Sequence, residues 1–458
     1  MTSDNPLNIA IEAWMAGADL RQRRRRHKNY TYGRQWDDIY TGRDGRKKTE
    51  FEFAMECGHR PKTNNLLRQM VKTIIGLWRR DIAPDHCGTD AATATRCALA
   101  ELDARMLEEF LISGCAVQRV VTERRTGGEG VWVDNVSPER FFVSPFTDPR
   151  GMDIEAVGMI HDFSLREATI RFGDTAAARR RVESIYKVLE GSIPGGFDTD
   201  AAPFLTPRHG RCRAIELWTL ESRRMLRCLD PARQTTYILP AKELQRVLAE
   251  NRRRDRAAHI IYRHFDTVRW LCRWMAPDGS TLDSYLSPWG HASHPFAVKY
   301  YPLTDGEVHP FVEDVIDQQR TINRLITLLD TILSVSAKGV LLYPTECLPH
   351  GMSVDQLTSR WSQPGSIIPY QTTDTGAEPR QISGPSGDSG ANALLNLEMQ
   401  LFDRISGVNS AIQGRDGTVN TSAALYDART RNATNSLVDV LESYASFIDA
   451  RNRMIKDC

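Results

Sequence analysis

The amino-acid sequence predicts an α+β fold, because stretches with a helical period and stretches with a strand period occupy different parts of the chain. Within residues 69–111, apolar side chains recur every three or four positions, as they do in amphipathic helices. From residue 117 to residue 286, short apolar runs alternate with turn residues, which is typical of antiparallel strands. After Pro310 the helical period returns in three long stretches. A chain of 458 residues is long enough for two to four domains of this mixed kind.

The first hundred residues are predicted to be mainly helical. A helix over residues 69–80 is followed by a second helix, which begins after Asp90 and carries an apolar stripe to Leu111. Aspartate is a favoured residue at a helix N-cap, so Asp90 marks this start.

The middle of the chain is predicted to contain β-hairpins. Strand-period residues flank the Gly-rich turn 126–130, and residues 265–286 contain paired strands around Pro277-Asp278-Gly279. Further strands are predicted at residues 156–160, 214–220, 236–239 and 259–265. The stretch 191–207 is rich in Gly, Pro and Asp, and it is predicted to be a surface loop.

The last third of the chain is predicted to leave this body and to return to it. A long amphipathic helix runs from residue 312 to near Gly339, and a short extended piece and a Pro-rich loop segment lead on to residue 388. A second helix from Asp388 carries an apolar stripe to Val408, and the sequence 414–417, with a glycine at each end, interrupts the helical pattern. A third long helix is predicted to begin at Thr421. The plan is a body, a helix, a small protrusion, a returning helix and a long final helix.

The charge is distributed unevenly, although the net charge is only +1. Residues 311–420 contain twelve Asp and Glu against seven Arg and Lys, a net charge of −5, so the remainder of the chain carries +6. An anionic segment is unsuited to gripping DNA, because each phosphate that a cation neutralises strengthens the attachment. The basic run from Arg21 to Lys28 is either a solvated helix face or a contact for DNA or for an acidic partner.

Signatures of several enzyme classes are missing from the sequence. It has no G-x-x-x-x-G-K-[ST] phosphate-binding loop, no G-x-S-x-G nucleophile turn and no H-E-x-x-H zinc motif. The eleven His and nine Cys follow no metal-ligand spacing, and no Asp-x-Asp pair adjoins a predicted strand. We therefore expect no catalytic site, no metal site and no cofactor.

The sequence also predicts where the protein resides. The N-terminus lacks the apolar segment of a secretory signal. No apolar run approaches the roughly 20 residues that cross a bilayer. We expect the protein to stay in the cytoplasm of the cell that makes it.

Seven short segments follow one another in the order of a known family's signatures. They are Tyr32-Gly33-x-Gln35-Trp36; Arg60-Pro61 with Asn64, Asn65 and a helix through Gly76; Pro138-Glu-Arg-Phe-Phe-Val-Ser-Pro145; Glu216-x-Trp218; His294-Pro295-Phe296; Asp317-Gln-Gln-Arg320-x-x-Asn323; and Gly407-Val-Asn-Ser-Ala-Ile-Gln-Gly414 with Ser422-Ala-Ala. Together they resemble the portal proteins of tailed bacteriophages, of the P22-like podovirus type. The sequence departs from the family pattern at Ser137 and Ser144, where Asp is usual, and at Gln318, where Pro is usual.

The resemblance implies the portal fold, with an α/β wing, a two-helix stem, a small α/β clip and a long C-terminal helix. The wing would comprise residues 1–310, the first stem helix 311–338, the clip 339–387, the second stem helix 388–408, the tunnel loop 409–420 and the C-terminal wing helix 421–458. Portal proteins are not enzymes. They form a ring, typically a dodecamer, at one vertex of a capsid, and DNA is packaged and ejected through that ring.

The resemblance also implies partners and a location. The ring would hold double-stranded DNA in its channel and would bind the terminase large subunit, a head-completion or tail adaptor protein, and the major capsid and scaffolding proteins, with no membrane partner. It would act in the virion, at the portal vertex of the capsid, after assembly in the host cytoplasm.

The same resemblance gives candidate site residues. The side chains expected to face DNA are Lys338, Arg404, Gln413 and Arg415. The tunnel loop would contain Asn409, Ser410, Gly414, Asp416, Gly417 and Asn420. The alternative for each of these residues is a solvated polar position on an amphipathic helix or in a loop.

Two other classes of function remain open from the sequence. One is a DNA-processing enzyme with a dispersed acidic metal site, which a metal-dependent nuclease activity would indicate. The other is a capsid or tail structural protein other than the portal. The long helix, protrusion and returning helix argue against that second class.

Overall fold

The computed structural model describes residues 5–42, 45–82, 89–126, 128–190, 202–207, 210–255, 258–336, 340–362, 367–372, 378–382, 388–408 and 435–458. The helices are α1 (Pro6–Ala16), α2 (Ala18–Thr31), α3 (Glu50–Glu56), α4 (Leu66–Leu77), α5 (Ala91–Arg96), α6 (Leu99–Ser113), α7 (Leu165–Phe172), α8 (Ala176–Glu190), α9 (Ala202–Leu205), α10 (Leu244–Asn251), α11 (Ile316–Ser336), α12 (Val354–Ser362), α13 (Asp388–Ser406) and α14 (Val438–Asp457). The strands are β1 (Ile39–Thr41), β2 (Lys47–Thr49), β3 (Cys115–Arg125), β4 (Gly128–Asn135), β5 (Phe141–Val143), β6 (Ala156–Phe163), β7 (Cys212–Asp230), β8 (Thr235–Pro240), β9 (Ile261–Met275), β10 (Thr281–Leu286), β11 (Phe296–Tyr300), β12 (Leu303–Thr304), β13 (Glu307–Val308), β14 (Val340–Leu342) and β15 (Arg380–Ile382). The predicted α+β class is confirmed, as is a long C-terminal helix.

The chain divides into two compact units. The first unit comprises Met1–Arg25, Ile75–Phe311 and Val438–Cys458, and the second comprises Arg26–Ile74 and Val312–Leu437. The chain thus leaves the first unit after Phe311 and re-enters it at Val438.

The first unit is built on two antiparallel sheets. One has the strand order β10-β9-β7-β6-β5, with β8 paired to the outer part of β7, and the other has the order β11-β3-β4. The predicted hairpins are present: β3 pairs with β4, and β9 pairs with β10 around the Pro277-Asp278-Gly279 turn. An aromatic core that includes Trp218 and Trp274 lies against these sheets. Large aromatic side chains contribute much of the apolar area that such a core removes from water.

The helix α14 is joined to the first unit by an ion pair that has no exposure to solvent. The guanidinium of Arg451 donates to both carboxylate oxygens of Asp103, at 3.0 and 2.9 Å, and to Gln118 Oε1 at 3.2 Å. Tyr444 Oη donates to the Asp103 carbonyl at 2.5 Å. Charges are buried only when they are paired and hydrogen-bonded, so this set fixes α14 against α6 and β3.

A second buried network joins three strands of the first unit. Glu216 accepts hydrogen bonds from His161 at 2.8 Å and Trp218 at 3.0 Å, and it forms an ion pair with Arg119 at 3.2 Å. Burial opposes the charged form of Glu216, but Arg119 and the two hydrogen bonds outweigh it and lower the pKa of Glu216 to about 2. Burial also lowers the pKa of His161, so its imidazole is neutral and donates to the carboxylate. The Glu216-x-Trp218 pair of the sequence is therefore part of a structural network, and the two residues lie on one face of β7 because they are two positions apart.

Three sequence predictions need correction here. The surface loop predicted at 191–207 is wrong at its C-terminal end, because Phe204 and Leu205 lie in α9 and are buried. The ring of Phe204 lies 5.2 Å from that of Trp14. Residues 191–201 lie outside the described part of the chain. The helix predicted after Asp90 is two helices, because Ala98 adopts a left-handed conformation with φ of 49°. The strand β7 is much longer than the predicted 214–220, since its outer half is rich in Arg and lacks a regular apolar pattern, and the strands predicted at 259–265 and after residue 265 are one continuous strand, β9.

The second unit contains α11 and α13, which pack against each other, and a small strand–helix–strand protrusion. In the protrusion β14 pairs with β15, and α12 lies between them in the chain. The sequence predicted only loops and an extended piece in this segment, so α12 was missed. Its signal is a reciprocal cap: Gln356 N donates to Ser353 Oγ and Ser353 N donates to Gln356 Oε1, both at 3.2 Å.

We predict that Glu216→Gln destabilises the first unit in a pH-dependent way. At neutral pH the change leaves the Arg119 charge buried without its counter-ion, which costs about 3–5 kcal/mol. The pKa of Glu216 is lowered on folding, so its stabilising effect is complete above about pH 4.5 and is lost as the pH falls towards 2.

Urea unfolding of the wild-type protein and of the Glu216→Gln variant as a function of pH measures this effect. The difference in free energy of unfolding should be largest near pH 7 and should shrink below pH 4.5. The exposed Glu129→Gln is the matched control and should change little. An equal loss of stability for Glu216→Gln at pH 7 and pH 3 would contradict the assignment.

Candidate functional site

One face of α11 is a buried polar row in the second unit. Gln319, Asn323, Thr327 and Thr331 are spaced four residues apart, so they lie along one side of the helix. The first three are between 0 and 5% exposed. Polar side chains in such positions must be hydrogen-bonded, because a buried unsatisfied group costs about 1–3 kcal/mol.

Gln319, Asn323 and Thr327 bond to backbone groups of the segment 62–67, and Thr331 Oγ1 lies 3.1 Å from His59 Nδ1. Gln319 Oε1 accepts from Leu66 N at 2.9 Å, and its Nε2 donates to the Asn64 carbonyl at 2.6 Å. Asn323 Oδ1 accepts from Asn64 N at 3.0 Å, and Thr327 Oγ1 accepts from Lys62 N at 3.0 Å. The row therefore holds an extended segment alongside α11, and we call it the amide ladder.

The amide ladder brings together motifs that are far apart in the sequence. Asn323 Nδ2 donates to Gln35 Oε1 at 2.5 Å, and Gln35 Nε2 donates to Asn65 Oδ1 at 3.2 Å. Trp36 Nε1 donates to Thr63 Oγ1 at 3.1 Å. Three of the seven signature segments, which begin at Tyr32, Arg60 and Asp317, thus form one hydrogen-bonded network within the second unit.

Cations on and beside α11 are paired within the same unit. Arg320 and Arg324 both contact the buried carboxylate of Glu50, at 3.2 and 2.5 Å. Lys62 Nζ lies 2.5 Å from Asp330 Oδ1. These cations form ion pairs with carboxylates of their own unit, so they are poor candidates for contacts with DNA.

The remaining faces of α11 and α13 carry exposed apolar side chains. Leu328 and Leu333 on α11 are 43% and 57% exposed, and Leu394 and Leu397 on α13 are 42% and 48% exposed. The helix pair therefore buries amides of α11 together with Ile322, Leu329 and Phe402, and leaves several leucines exposed. Exposed apolar side chains that collect on one part of a protein are a candidate interaction site.

The structure describes one of the four predicted DNA-facing side chains. Arg404 is exposed in the last turn of α13. Lys338, Gln413 and Arg415 lie outside the described residues, as do Asn409, Ser410, Gly414, Asp416, Gly417 and Asn420 of the predicted tunnel loop. The start predicted for the C-terminal helix at Thr421 lies outside them too.

Arginines of the basic run on α2 form ion pairs and a cation–π contact within the chain. Arg24 pairs with Glu109 at 2.5 Å and Glu139 at 3.2 Å, and Arg25 pairs with Glu139 at 2.8 Å. Arg26 pairs with Asp38 at 2.9 Å, and the Arg21 guanidinium lies 3.6 Å from the centre of the Trp14 ring. These arginines are structural, and no local pattern indicated the role of Arg24 because Glu109 and Glu139 lie 85 and 115 residues from it along the chain.

Two findings concern other classes of protein. Within the described ranges, no group of three or more His, Cys, Asp or Glu is placed to hold a metal ion. In the same part of the chain, every helix is too short or too polar to span a membrane.

Comparison with known proteins agrees with this architecture. The chain matches the family of phage P22-like portal proteins over residues 100–455. None of the curated proteins matches it. The chain belongs to the phage P22-like portal protein family, whose members are structural ring proteins rather than enzymes.

We predict that Asn323→Leu destabilises the second unit. The change removes the acceptor of Asn64 N and the donor to Gln35 Oε1, and each buried group left unpaired costs about 1–3 kcal/mol. Thermal unfolding followed by circular dichroism should show a lower Tm.

The matched control is Leu328→Asn, a change of the opposite kind at an exposed position of α11. Surface substitutions usually change stability by less than about 0.5 kcal/mol, so the Tm of the monomeric fraction should barely move. Equal shifts of Tm for the two variants would show that the amide ladder has no special role.

Proposed function

We propose that the protein forms a closed ring at one capsid vertex, through which double-stranded DNA is packaged and ejected. α11 and α13 are its stem helices, residues 339–387 its clip and residues 409–420 its tunnel loop. Subunits repeated head to tail by a rotation that closes form a ring, and the family typically has twelve. Family membership supports the ring. The observation that carries the assignment of the stem is the exposed apolar surface of α11 and α13.

The polarity of the helix pair supports an interface between subunits. The amide ladder uses the face of α11 that lies along residues 62–67, and Leu328 and Leu333 are exposed elsewhere on the helix. A neighbouring copy presents the same two helices, and burial of apolar area yields about 25 cal/mol for each Å² removed from water. The acidic balance of residues 311–420 fits a channel wall that repels the duplex weakly and lets it slide.

The chemistry of packaging then belongs to partners. The ring supplies a conduit, and the terminase large subunit, docked on the clip, supplies the energy. A head-completion or tail adaptor protein binds the clip after packaging. The major capsid and scaffolding proteins surround the wing. Assembly occurs in the host cytoplasm, and the finished ring remains in the virion.

Leu397→Glu should block assembly. It places a carboxylate in the proposed interface, where an unpaired charge costs several kcal/mol, while position 397 is exposed in the single chain. Multi-angle light scattering should show rings for the wild type and monomers for the variant. Asn396→Glu, one residue away on the same helix and also exposed, is the control and should assemble. If both variants assemble like the wild type, α13 is not in the subunit interface.

Ile367→Asp should abolish terminase binding and leave rings intact. Ile367 is 87% exposed in the protrusion, near Tyr370 at 47%, so this surface offers apolar area for a partner. Pull-down of the terminase large subunit by purified rings measures the effect, with the exposed Ser359→Asp on α12 as the control. Loss of rings instead of loss of binding would mean that the protrusion is part of the subunit interface.

Arg415→Glu should leave assembly unchanged and alter packaging. In the proposed tunnel loop, one arginine from each subunit meets the phosphate backbone weakly and without reading sequence. The amount of DNA retained per particle in a packaging reaction is the readout, and Arg404→Glu at the end of α13 is the companion variant. An unchanged DNA content for both variants would contradict the proposal that Arg415 and Arg404 face the channel.

A further inference from the structure

The outer halves of β7 and β9, together with β8 and α10, form a basic arm in the first unit. Residues 221–269 contain twelve Arg and Lys against six Asp and Glu, a net charge of +6. Since residues 311–420 carry −5 and the whole chain +1, everything outside these two segments is neutral. The positive excess of the protein is therefore concentrated in this arm.

One face of the arm is covered within the chain. Leu226 and Cys228 of β7 point to a small core that includes Val247 of α10 and Ile260, and all four side chains are at most 2% exposed. The alternate residues of β7 must then point to the other side of the sheet.

The second face of the arm is open. Leu229, Ile238 and Ile261 lie on it and are 44%, 51% and 62% exposed. They line a groove of about 420 Å³ together with Arg227 and Arg263. The cross-strand register places these residues side by side, since Leu229 faces Ile261 on β9, and Arg227 faces both Ile238 on β8 and Arg263 on β9. We call this surface the arginine face.

Among the described residues, no carboxylate pairs with the two arginines of the arginine face. Arg227 and Arg263 are directly opposite each other on neighbouring strands, an arrangement that destabilises a sheet when the charges are alike. Neither guanidinium forms an ion pair with any carboxylate of the described residues. The ring of Phe265 lies 5.8 Å from the Arg227 guanidinium and adds a cation–π contact but no negative charge. An anion between the two arginines would remove this repulsion.

We propose that the arginine face docks an acidic and aliphatic segment of a partner protein. Carboxylates of the segment lie between Arg227 and Arg263, where bidentate pairing is available. Its aliphatic side chains cover Leu229, Ile238 and Ile261. Arginine beside exposed apolar residues is the composition of protein interfaces, whereas interfaces with DNA are more polar and would leave these aliphatic side chains without apolar contact. This inference stands on the first unit alone and does not depend on the ring.

The experiment measures binding of three fluorescein-labelled probes to the purified full chain by fluorescence anisotropy. The probes are a 12-residue peptide of alternating Glu and Val, a 12-residue polyglutamate and a 20-base-pair DNA duplex. The alternating peptide should bind more tightly than the other two probes. Tighter binding of the duplex would assign the face to nucleic acid, and equal binding of both peptides would show that the aliphatic residues are not used. Either result overturns the proposal.

Two variants test the residues of the arginine face. Arg227→Glu with Arg263→Glu should weaken binding of the alternating peptide by about tenfold or more, the change that 1.4 kcal/mol produces. Ile238→Ser with Ile261→Ser should weaken it without any change of charge. All four positions are exposed, so circular dichroism spectra should match that of the wild type.

The matched control is Arg252→Glu with Arg253→Glu, which makes the same change of net charge at exposed positions after α10. It should bind the alternating peptide like the wild type. If this control loses as much binding as the Arg227 and Arg263 variant, the loss is explained by the change of net charge and not by the arginine face. A change of oligomeric state in the latter variant alone would make the face a contact between copies of the chain. Either outcome contradicts the proposed partner.

Discussion

The amide ladder of α11 is the constraint on which the proposed assembly depends. Gln319, Asn323 and Thr327 commit the inner face of the helix to the backbone of residues 62–66, and their hydrogen bonds allow that extended segment to be buried. An extended segment has no internal hydrogen bonds, so its N–H and C=O groups need partners from elsewhere. The apolar side chains of α11 are divided: Ile322 and Leu329 are buried, whereas Leu328 and Leu333 are exposed outside the amide ladder. The exposed leucines are left for the proposed contact between subunits.

In the first unit, a buried ion pair joins the C-terminal helix α14 to an earlier part of the chain. Arg451 and Asp103 are 348 residues apart, and their buried ion pair anchors α14 after the chain has passed through residues 312–437. Removing one partner of such a pair leaves a buried charge, so the return of the chain is specified strongly. The segment between α11 and α13 is compatible with this closure because both helices belong to the second unit. The body, the excursion and the return are therefore set by two separate polar networks, each inside one unit.

Much of the fold could be predicted from local pattern, and the polar networks could not. The stripe Leu437, Val440, Leu441, Tyr444, Phe447 and Ile448 predicted the C-terminal helix; all six side chains are buried, and all but Leu437, which directly precedes it, lie in α14. The turn residues around 126–130 and 277–279 predicted both hairpins. In contrast, the basic run of α2 was predicted to be a solvated helix face or a contact for DNA or an acidic partner, since nothing near Arg24 in the sequence indicates that it pairs with Glu109. The burial of the polar row of α11 was not predicted either, because the backbone groups that satisfy it come from a segment more than 250 residues away. Of the candidate site, the sequence supplied the motif residues Gln35, Asn64 and Asn323, but not the fact that they form one network.

Electron microscopy of the purified protein is the most direct test of the central claim, that this chain forms a conduit for DNA. Negatively stained particles should be closed rings with a central channel wide enough for a duplex, and class averages should show one subunit repeated around that channel. Light scattering on the same sample should give the mass of a ring with a fixed number of subunits. A monodisperse monomer over a broad range of protein and salt concentrations, or a closed dimer without a channel, would contradict the account.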